Sequence, residues 1–196
     1  MARTIGSSGK KTEANIRASA LELIARHGFE ALTMRQLAEA VGIQVGGLYH
    51  YFLDKQALLF ALIDAHLHEL QAMADATIGG ADPAARLQSF VTFHILHHVA
   101  RRNASHVANN ELRSLSRENF AVVLKQRGLY EKKLRQILKD GQEAGRFNII
   151  DVPLTTMALI AMLNEVCVWF RDGGAQSLDD IAEHFAGSTL RMVQLK

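Results

Sequence analysis

The sequence predicts an all-α protein, with a small three-helix unit at the front and a larger helical bundle behind it. Only two of its 196 residues are proline, while alanine and leucine are abundant, and this composition favours helices over turn-rich β structure. Apolar residues recur with the 3.6-residue period of an amphipathic helix along most of the chain. The one β-like stretch, residues 147–152, is too isolated to build a sheet.

The chain opens with a segment that has no apolar periodicity. Its glycines and serines predict that residues 1–11 form a flexible, modestly basic arm. A helix should follow over about 12–27, because Ile16 and Ile24 fall on one apolar face. Gly28 is a suitable C-terminal cap for that helix.

Two short helices and the start of a long one are predicted next. The spacing of Thr33 and Gln36 is that of a capping box, so a helix begins after Thr33 and ends at Gly42. A second short helix should cover about 45–51. Asp54 then caps the long helix.

The remainder of the chain is predicted to be helical up to its end. Glycines at 79 and 80 break the long helix, and Asp82-Pro83 starts the next one. The further helices are expected at about 83–101, 104–115, 116–145, 152–171 and 178–193, with Asp151 and Ser177 as caps of the last two.

The segment 152–170 is long and apolar enough to be tested as a membrane span. Asn164 and Glu165 lie inside it, and it stands alone, so a core or interface helix is the better interpretation. We therefore expect no membrane partner. The single cysteine, Cys167, allows no disulfide within the chain, which fits a reducing cytoplasm.

Charge is distributed unevenly along the sequence. The formal net charge is only +2, but the first 35 residues hold six basic side chains against three acidic ones. Such a local excess is what a phosphate backbone attracts.

The segment from Thr33 to Lys55 predicts a helix-turn-helix. Its apolar positions pack two short helices together, and Gly42 permits the tight turn between them. One face of the second helix stays free to enter a major groove. The alternative is a plain pair of amphipathic helices joined by a glycine turn, which occurs in many helical proteins.

Residues 12–62 resemble the DNA-binding domain of the TetR family of bacterial repressors. The resemblance is carried by Arg-His-Gly-Phe-Glu-Ala-Leu-Thr33, by Leu37-Ala-Glu-Ala-Val-Gly-Ile43, and by Leu48-Tyr-His-Tyr-Phe followed by Asp-Lys-Gln-Ala-Leu-Leu59. These segments match the sequence pattern of the family in order and in spacing.

The resemblance implies a role for each matching residue. Tyr49 and Lys55 would contact phosphates, and Thr33 and Arg35 would begin the helix that crosses the backbone. The recognition helix would present Gln44, Val45, Gly46, Gly47, His50 and Tyr51. Phe52 and the ring of Tyr49 are expected to pack in the core. Many relatives carry side chains where this chain has Gly46-Gly47, so phosphate contacts and DNA shape should matter more here.

The resemblance also implies a domain organisation. The arm would end at residue 11, the helix-turn-helix domain would cover 12–56, and a ligand-binding and dimerisation domain would cover 57–196. The last two helices would form a homodimer, whose two recognition helices lie roughly 34 Å apart or a multiple of that distance. A palindromic double-stranded operator follows from this symmetry. No cofactor is expected.

Parts of the second half resemble the TetR subgroup that responds to acyl-CoA thioesters, which controls fatty-acid, steroid or aromatic-acid breakdown. The matching segments are Asn110-Glu-Leu-Arg-Ser-Leu115, residues 130–145, and residues 162–174. The ligand residues this predicts are Phe90, Phe93, His97, Arg113, Tyr130, Asn164 and Trp169.

Such a ligand needs an apolar tunnel for its chain and cations for its CoA moiety. The sequence offers Phe90, Phe93, Leu96, Met162 and Trp169 for the tunnel, and Arg101, Arg102, Arg113, Arg127, Lys132 and Lys133 for the CoA moiety. The alternative for any one of them is an ordinary core residue or a solvated charge.

Other functions stay open at this point. His94 and His98 share a helical face and could hold a metal, although no acidic or cysteine partner has a recognisable spacing. The effector could also be another hydrophobic ligand. A helical enzyme is disfavoured, because no catalytic triad, phosphate loop or dinucleotide fingerprint is present. A chromatin-type binder without an effector is the remaining class. Cys167 is expected to be buried and inert.

Overall fold

The computed structural model describes residues 5–80 and 82–193, and within them the chain is almost entirely helical. There are nine α-helices, one short 3₁₀ helix at Leu112–Ser114, and no strand in this part of the chain. The α-helices are α1 Ile5–His27, α2 Met34–Val41, α3 Val45–Leu48, α4 Lys55–Thr77, α5 Pro83–Ala100, α6 Arg102–Asn110, α7 Arg117–Glu143, α8 Val152–Trp169 and α9 Leu178–Val193. The all-α prediction is confirmed.

The front unit consists of α1, α2 and α3 around a small core. Ile16 and Ile24 of α1 are fully buried, as the apolar period predicts. The capping box is present: the Thr33 hydroxyl accepts the Gln36 N–H, and the Gln36 side chain accepts the Thr33 N–H at 2.9 Å. Gly42 ends α2 with φ of 75°, a left-handed conformation that favours glycine.

The structure corrects three predicted boundaries. Helix α1 begins at Ile5, so residues 5–11 are helical and not a flexible arm, and residues 1–4 lie outside the described part. Once one part of a helix is nucleated, adding further residues to it is favourable. Helix α3 ends at Leu48 and not at Tyr51, because two of its four residues are glycine. The helix expected at 104–115 is α6 followed by the 3₁₀ turn.

The larger unit is a bundle with α5 near its centre. Helix α5 packs against α7, α8 and α9, while α4 packs against α6 and α7. Contacts of α1 with α6 and with α4 join the front unit to the bundle. Two expected caps are formed, since Asp54 accepts the Ala57 N–H and Asp151 accepts the Leu154 N–H. Asp82 occupies the N-cap position of α5, but its side chain makes no capping hydrogen bond. The apolar faces therefore meet in one continuous core.

Helix α8 is long and apolar enough to cross a membrane by length and composition alone, with mean hydropathy 1.5 over 18 residues. A core helix of a globular protein passes the same test. One face of α8, with Leu159 and Leu163, is fully buried, whereas Leu154, Met157 and Val168 on other faces are more than half exposed. This division agrees with the predicted core or interface helix.

Candidate DNA-binding surface and effector cavity

Most of the predicted DNA contacts lie at the surface of α2, α3 and the turn that follows. The exposed residues are Thr33, Arg35, Gln44, Val45, Gly46, Tyr49 and His50, while Gly47, Tyr51 and Lys55 are half-buried. Arg35 supplies positive charge there, and Gln44 and His50 supply hydrogen-bonding groups that can read base edges.

Lys55 sits where the front unit meets the start of α4. Its Nζ donates to the carbonyl oxygen of Glu30 at 3.2 Å and lies 4.2 Å from the centre of the Phe29 ring. These two contacts leave part of the ammonium exposed, so it can still approach a phosphate.

The aromatic residues after α3 divide between core and surface differently from the prediction. Phe52 is buried as expected. Tyr49, the residue after the end of α3, is half exposed, so its ring does not pack in the core. Tyr51 packs partly against the core, with its hydroxyl close to Gly9 of α1.

The bundle contains a small cavity of about 30 Å³ that is lined by both polar and apolar residues. Helices α4, α5, α6, α7 and α8 all contribute to its wall. Its polar lining residues are His66, His94, His98, Asn109, Arg127, Tyr130, Glu131 and Asn164, and its apolar ones are Leu67, Leu70, Ala108 and Ile160. None of the five residues offered for the apolar tunnel lines this cavity.

Hydrogen bonds and stacking fix the histidines of this cavity. His94 Nδ1 lies 3.1 Å from the Tyr130 hydroxyl, and His98 Nδ1 donates to the His94 carbonyl oxygen at 2.8 Å. The two imidazole rings stack, with centroids 4.0 Å apart. The prediction that they share a helical face is thus confirmed.

These groups are neutral near pH 7. Burial lowers the pKa of His94 to about 3, opposed by the neighbouring Asn164 side chain, and burial lowers the pKa of His66 to about 4. Burial also moves the pKa of His98 well below its usual range and raises that of Tyr130. These imidazoles thus line the cavity without a positive charge.

The predicted ligand residues do not all meet at this cavity. Tyr130 and Asn164 line it, and Phe90 packs behind it with its ring centre 5.3 Å from that of Tyr130. Phe93 and His97 instead line an open groove between α4 and α5, together with Leu96.

Arg113 and Trp169 do not line this cavity. Arg113 is exposed on the 3₁₀ turn, and Trp169 is 46% exposed beside Phe185 of α9. Their positions depend on how the helices pack, which the local resemblance does not define.

The cations proposed for a CoA moiety do not converge either. Arg101 is paired with Glu69, and Lys133 with Asp75. Arg102 donates to the Phe170 carbonyl oxygen. Of the six, Arg101 and Arg102 line an open groove of about 690 Å³ between the front unit and the bundle, and Arg127 lines the cavity.

The geometry bears on two further points from the sequence, the metal site and the reactivity of Cys167. Among the described residues, no three His, Cys, Asp or Glu side chains are placed to hold one metal ion. Cys167 is buried and its thiol donates to the Asn164 carbonyl oxygen, as expected for an unreactive core cysteine.

Sequence reasoning missed His66 and Asn109 as cavity residues. His66 is 5% exposed on α4 and faces the cavity from the helix that begins beside the DNA-binding surface. A polar residue on the apolar face of a predicted helix is the only available signal, and it does not identify the partners across the core.

Polar contacts tie the front unit to the bundle. The Glu111 carboxylate, just after α6, accepts the Phe29 N–H at 3.0 Å and the Ser114 hydroxyl at 2.7 Å. Gln56, at the start of α4, donates to the Ser114 carbonyl oxygen at 2.6 Å, a contact within the bundle. Arg17 of α1 donates to the Ala61 carbonyl oxygen of α4 at 3.0 Å.

Known families and proteins match both units of the chain. Residues 16–62 match the family described as bacterial regulatory proteins of the tetR family, and residues 80–193 match the tetracyclin repressor-like C-terminal domain. The HTH-type transcriptional repressor KstR2 of Rhodococcus jostii RHA1 is 28% identical over 95% of this chain and 92% of its own.

Solved structures of other regulators share the fold of this chain. A bacterial regulatory protein in the tetR family from Rhodococcus RHA1 superposes with a TM-score of 0.89 at 30% identity, covering 95% of this chain and 98% of that one. AibR, solved in complex with isovaleryl coenzyme A and operator DNA, shares the fold with a TM-score of 0.81 at 22% identity, over 90% of this chain and 97% of its own. The chain therefore belongs to the TetR family of bacterial transcriptional regulators, which bind DNA and are not enzymes.

Proposed function

We propose that this TetR-type repressor binds a palindromic operator as a homodimer and releases it when a small molecule, an acyl-CoA thioester, enters the bundle. The observation that carries the proposal is the cavity whose wall includes α4, the helix that starts at the DNA-binding surface. A ligand there acts directly on an element shared by both units.

DNA binding is proposed to use the exposed residues of α2, α3 and the following turn. Lys55 and the Tyr49 hydroxyl serve phosphates, and Arg35 and Thr33 lie on the helix that crosses the backbone. Gln44 and His50 are the side chains with groups suited to base edges.

The dimer is proposed to form through α8 and α9. Leu154, Met157, Ala158, Ala161 and Val168 recur on an exposed stripe of α8 at helical spacing, interrupted only by Glu165. An exposed apolar stripe of this length marks a surface that another chain covers. An isologous pairing over it would place two recognition helices on one face of DNA.

The effector class is supported by the relatives and by two spaces in the structure. AibR was solved with isovaleryl coenzyme A and operator DNA. Here the groove with Arg101 and Arg102, whose wall also holds Glu69 and Asp172, lies on the outside, and the cavity lies inside the bundle. Sites for ligands of this size occupy about 300–1,000 Å³, so the cavity of about 30 Å³ is a closed form that ligand binding must open.

Release is proposed to follow from movement of α4 and α6. Both helices line the cavity, and Glu111 at the end of α6 holds the Phe29 N–H of the front unit. A ligand that separates these helices from α7 would change the orientation of the DNA-binding surfaces within the dimer. The cytoplasm is the proposed place of action, since the operator lies there.

The test starts from a DNA duplex selected by the protein from a random pool. CoA thioesters with different acyl groups are then added, and binding to this duplex is followed by fluorescence anisotropy. The thioester whose acyl chain matches the site should weaken DNA binding at least tenfold. Free CoA and the free carboxylic acids are the controls. If no CoA thioester changes the affinity for the selected duplex, the acyl-CoA assignment is wrong. The assignment of the protein as a TetR-type repressor is then retained.

A second experiment separates the residue roles. We expect Lys55→Gln and Tyr49→Phe to weaken binding to all duplexes alike, with Lys55→Gln lowering the salt slope by about 0.9 because one phosphate contact is lost. Gln44→Ala and His50→Ala should instead change the preference among duplexes. Lys125→Gln on exposed α7 is the matched control. Equal losses for both sets on every duplex would refute these roles.

A further inference from the structure

Three large apolar side chains are exposed on the front unit, among those that the structure describes there. They are Val45, Tyr49 and Leu53, which are 36%, 50% and 81% exposed. A single exposed apolar residue needs no explanation, but these three recur at intervals of four residues along the candidate DNA-binding surface. The Phe52 N–H donates to the Leu48 carbonyl oxygen at 3.0 Å, so the helical path continues past the end of α3. Val45 and Tyr49 therefore share one face.

Val45 differs from the other two by its position. It is the first residue of α3, and the N-terminal residues of a recognition helix are those that contact base edges. Tyr49 follows the end of the helix, and Leu53 lies two residues before Lys55, for which we propose a phosphate contact. Val45 is thus the exposed apolar side chain that is placed to meet a base.

The side chain of Val45 has no polar atom, which limits what it can recognise in DNA. In the major groove, guanine, cytosine and adenine present hydrogen-bond donors and acceptors, and thymine alone adds a methyl group. Packing the Val45 methyl groups against a donor or an acceptor would deprive that group of a hydrogen bond. Thymine is therefore the base whose groove edge fits this side chain.

The neighbours of Val45 leave room for such a contact. Gly46 and Gly47 follow it without side chains, and a Cβ added to Gly46 would meet no atom within 4 Å, so the surface beside Val45 is open. Gln44 precedes it as the N-cap residue, and its side chain makes no capping hydrogen bond. The amide of Gln44 is suited to adenine, the partner of thymine, so both residues favour an A·T pair.

We infer that Val45 recognises the 5-methyl group of a thymine, which makes it a specificity-determining residue of the DNA-binding surface. The inference rests on the proposed function, since it specifies one base in each half of the operator. It assigns part of the base reading to an apolar side chain, beside the hydrogen-bonding groups of Gln44 and His50.

Deoxyuridine in place of thymidine tests this inference, because it lacks the 5-methyl group and keeps every hydrogen-bonding group of the base. The thymines of the duplex selected from the random pool are replaced one position at a time, in both half-sites together. At the position that faces Val45, the replacement should weaken binding about fourfold for each half-site, the effect of withdrawing one methyl group from an apolar contact. Fluorescence anisotropy measures the ratio of the affinities for the thymine and uracil duplexes.

Val45→Ala should bring this ratio close to one, because alanine favours the helix but lacks the methyl groups that meet the thymine. Its loss of affinity should fall on the thymine duplex and not on the uracil duplex. Val122→Ala removes the same groups from a valine that is 45% exposed on α7, away from the DNA-binding surface. This matched control should keep the ratio of the unaltered protein, and urea unfolding verifies that both variants are folded.

A selected duplex in which no thymine can be replaced by uracil with a loss of affinity would overturn the inference. So would a ratio that Val45→Ala leaves unchanged, since the loss would then come from the altered DNA, or one that Val122→Ala changes equally. These outcomes leave the repressor assignment intact, because the selected duplex is still bound. A protein that selects no duplex from the pool would instead reject the proposed operator binding, and the inference with it.

Discussion

At the scale of single residues, Gly46 is the most informative position on the DNA-binding surface. A Cβ added there would meet no atom within 4 Å, and its φ lies outside the left-handed range. The protein alone therefore gives no steric reason for glycine. Close approach of the backbone to DNA would give one.

We expect Gly46→Ala to raise the free energy of unfolding by about 0.4–1 kcal/mol, because alanine restricts the unfolded chain and favours the helix. The same variant should bind DNA at least tenfold more weakly if its methyl group occupies space that the bases need. Urea unfolding and anisotropy on the selected duplex measure the two effects.

The matched control for Gly46 is Gly128→Ala in the middle of α7, where a Cβ is equally free of contacts. It should stabilise the protein by a similar amount and leave DNA binding unchanged. Unaltered DNA affinity in Gly46→Ala would show that the backbone does not approach the bases at this position.

At the scale of elements, the contact of Glu111 with the front unit can be used to test how effector binding in the bundle is coupled to DNA binding. Glu111→Ala would leave the Phe29 N–H and the Ser114 hydroxyl without their acceptor. We expect the free energy of unfolding to fall by about 1–2 kcal/mol. The ratio of DNA affinities with and without effector should also fall severalfold.

Glu111→Gln keeps one oxygen acceptor. It should restore most of the free energy of unfolding and most of the ratio of DNA affinities with and without effector. Glu143→Ala, exposed in the last turn of α7, is the control that should change neither. An unchanged affinity ratio in a stable Glu111→Ala protein would assign the communication to α4 alone.

Helix boundaries were largely predictable because their causes are local. A capping side chain such as Thr33, Asp54 or Asp151 accepts an N–H only three residues further on, so its spacing is visible in the sequence. The start of α1 was not predicted, since the glycines and serines among residues 5–11 favour an irregular segment. The end of α3 at Leu48 differs from the prediction because Gly46 and Gly47 weaken the helix.

The cavity was only partly predictable, because it is a tertiary feature. His94 and His98 lie one turn apart, so their stacking follows from helical geometry. That His66 joins them depends on the face that α4 turns toward α5. The same dependence explains why Arg113 and Trp169, chosen by resemblance, lie outside the cavity.

At the scale of the whole molecule, the exposed stripe of α8 predicts the oligomeric state. Met157 is 61% exposed in the single chain. We expect Met157→Lys to place a charge in the proposed dimer interface and to shift the mass in sedimentation equilibrium toward the 21.7 kDa of one chain. Binding to a palindromic duplex should weaken more than tenfold, since two half-sites are no longer linked.

Met73→Lys is the control for Met157→Lys. Met73 is 43% exposed on α4, away from α8 and α9. The control should keep the mass and the DNA affinity of the unaltered protein. A Met157→Lys protein that stays dimeric would move the interface to another surface.

The buried histidines predict how stability depends on pH. The pKa of His66 is lowered to about 4, that of His94 to about 3 and that of His97 to about 4, with burial as the main cause for each. The unfolded chain therefore binds protons below about pH 6.5 that the folded chain does not. Stability should be fully present above pH 6.5 and fall as the pH drops toward 4.

Urea unfolding at pH 7 and pH 5 measures this dependence. The double variant His94→Phe/Tyr130→Phe should lose less stability between the two values than the unaltered protein, and His68→Phe should match the unaltered protein. A folded protein that is equally stable at both pH values would contradict the assignment of neutral, buried imidazoles.

Helix α4 has a consequence for how such a regulator can acquire new specificities. The helix begins with Lys55 at the DNA-binding surface and carries His66 into the cavity three turns later. Substitutions on α5 and α7 can therefore retune the accepted molecule while the DNA-binding surface is left intact. Substitutions on α4 alter sensing and DNA binding together, so we expect laboratory selections for new effectors to collect their changes on α5 and α7.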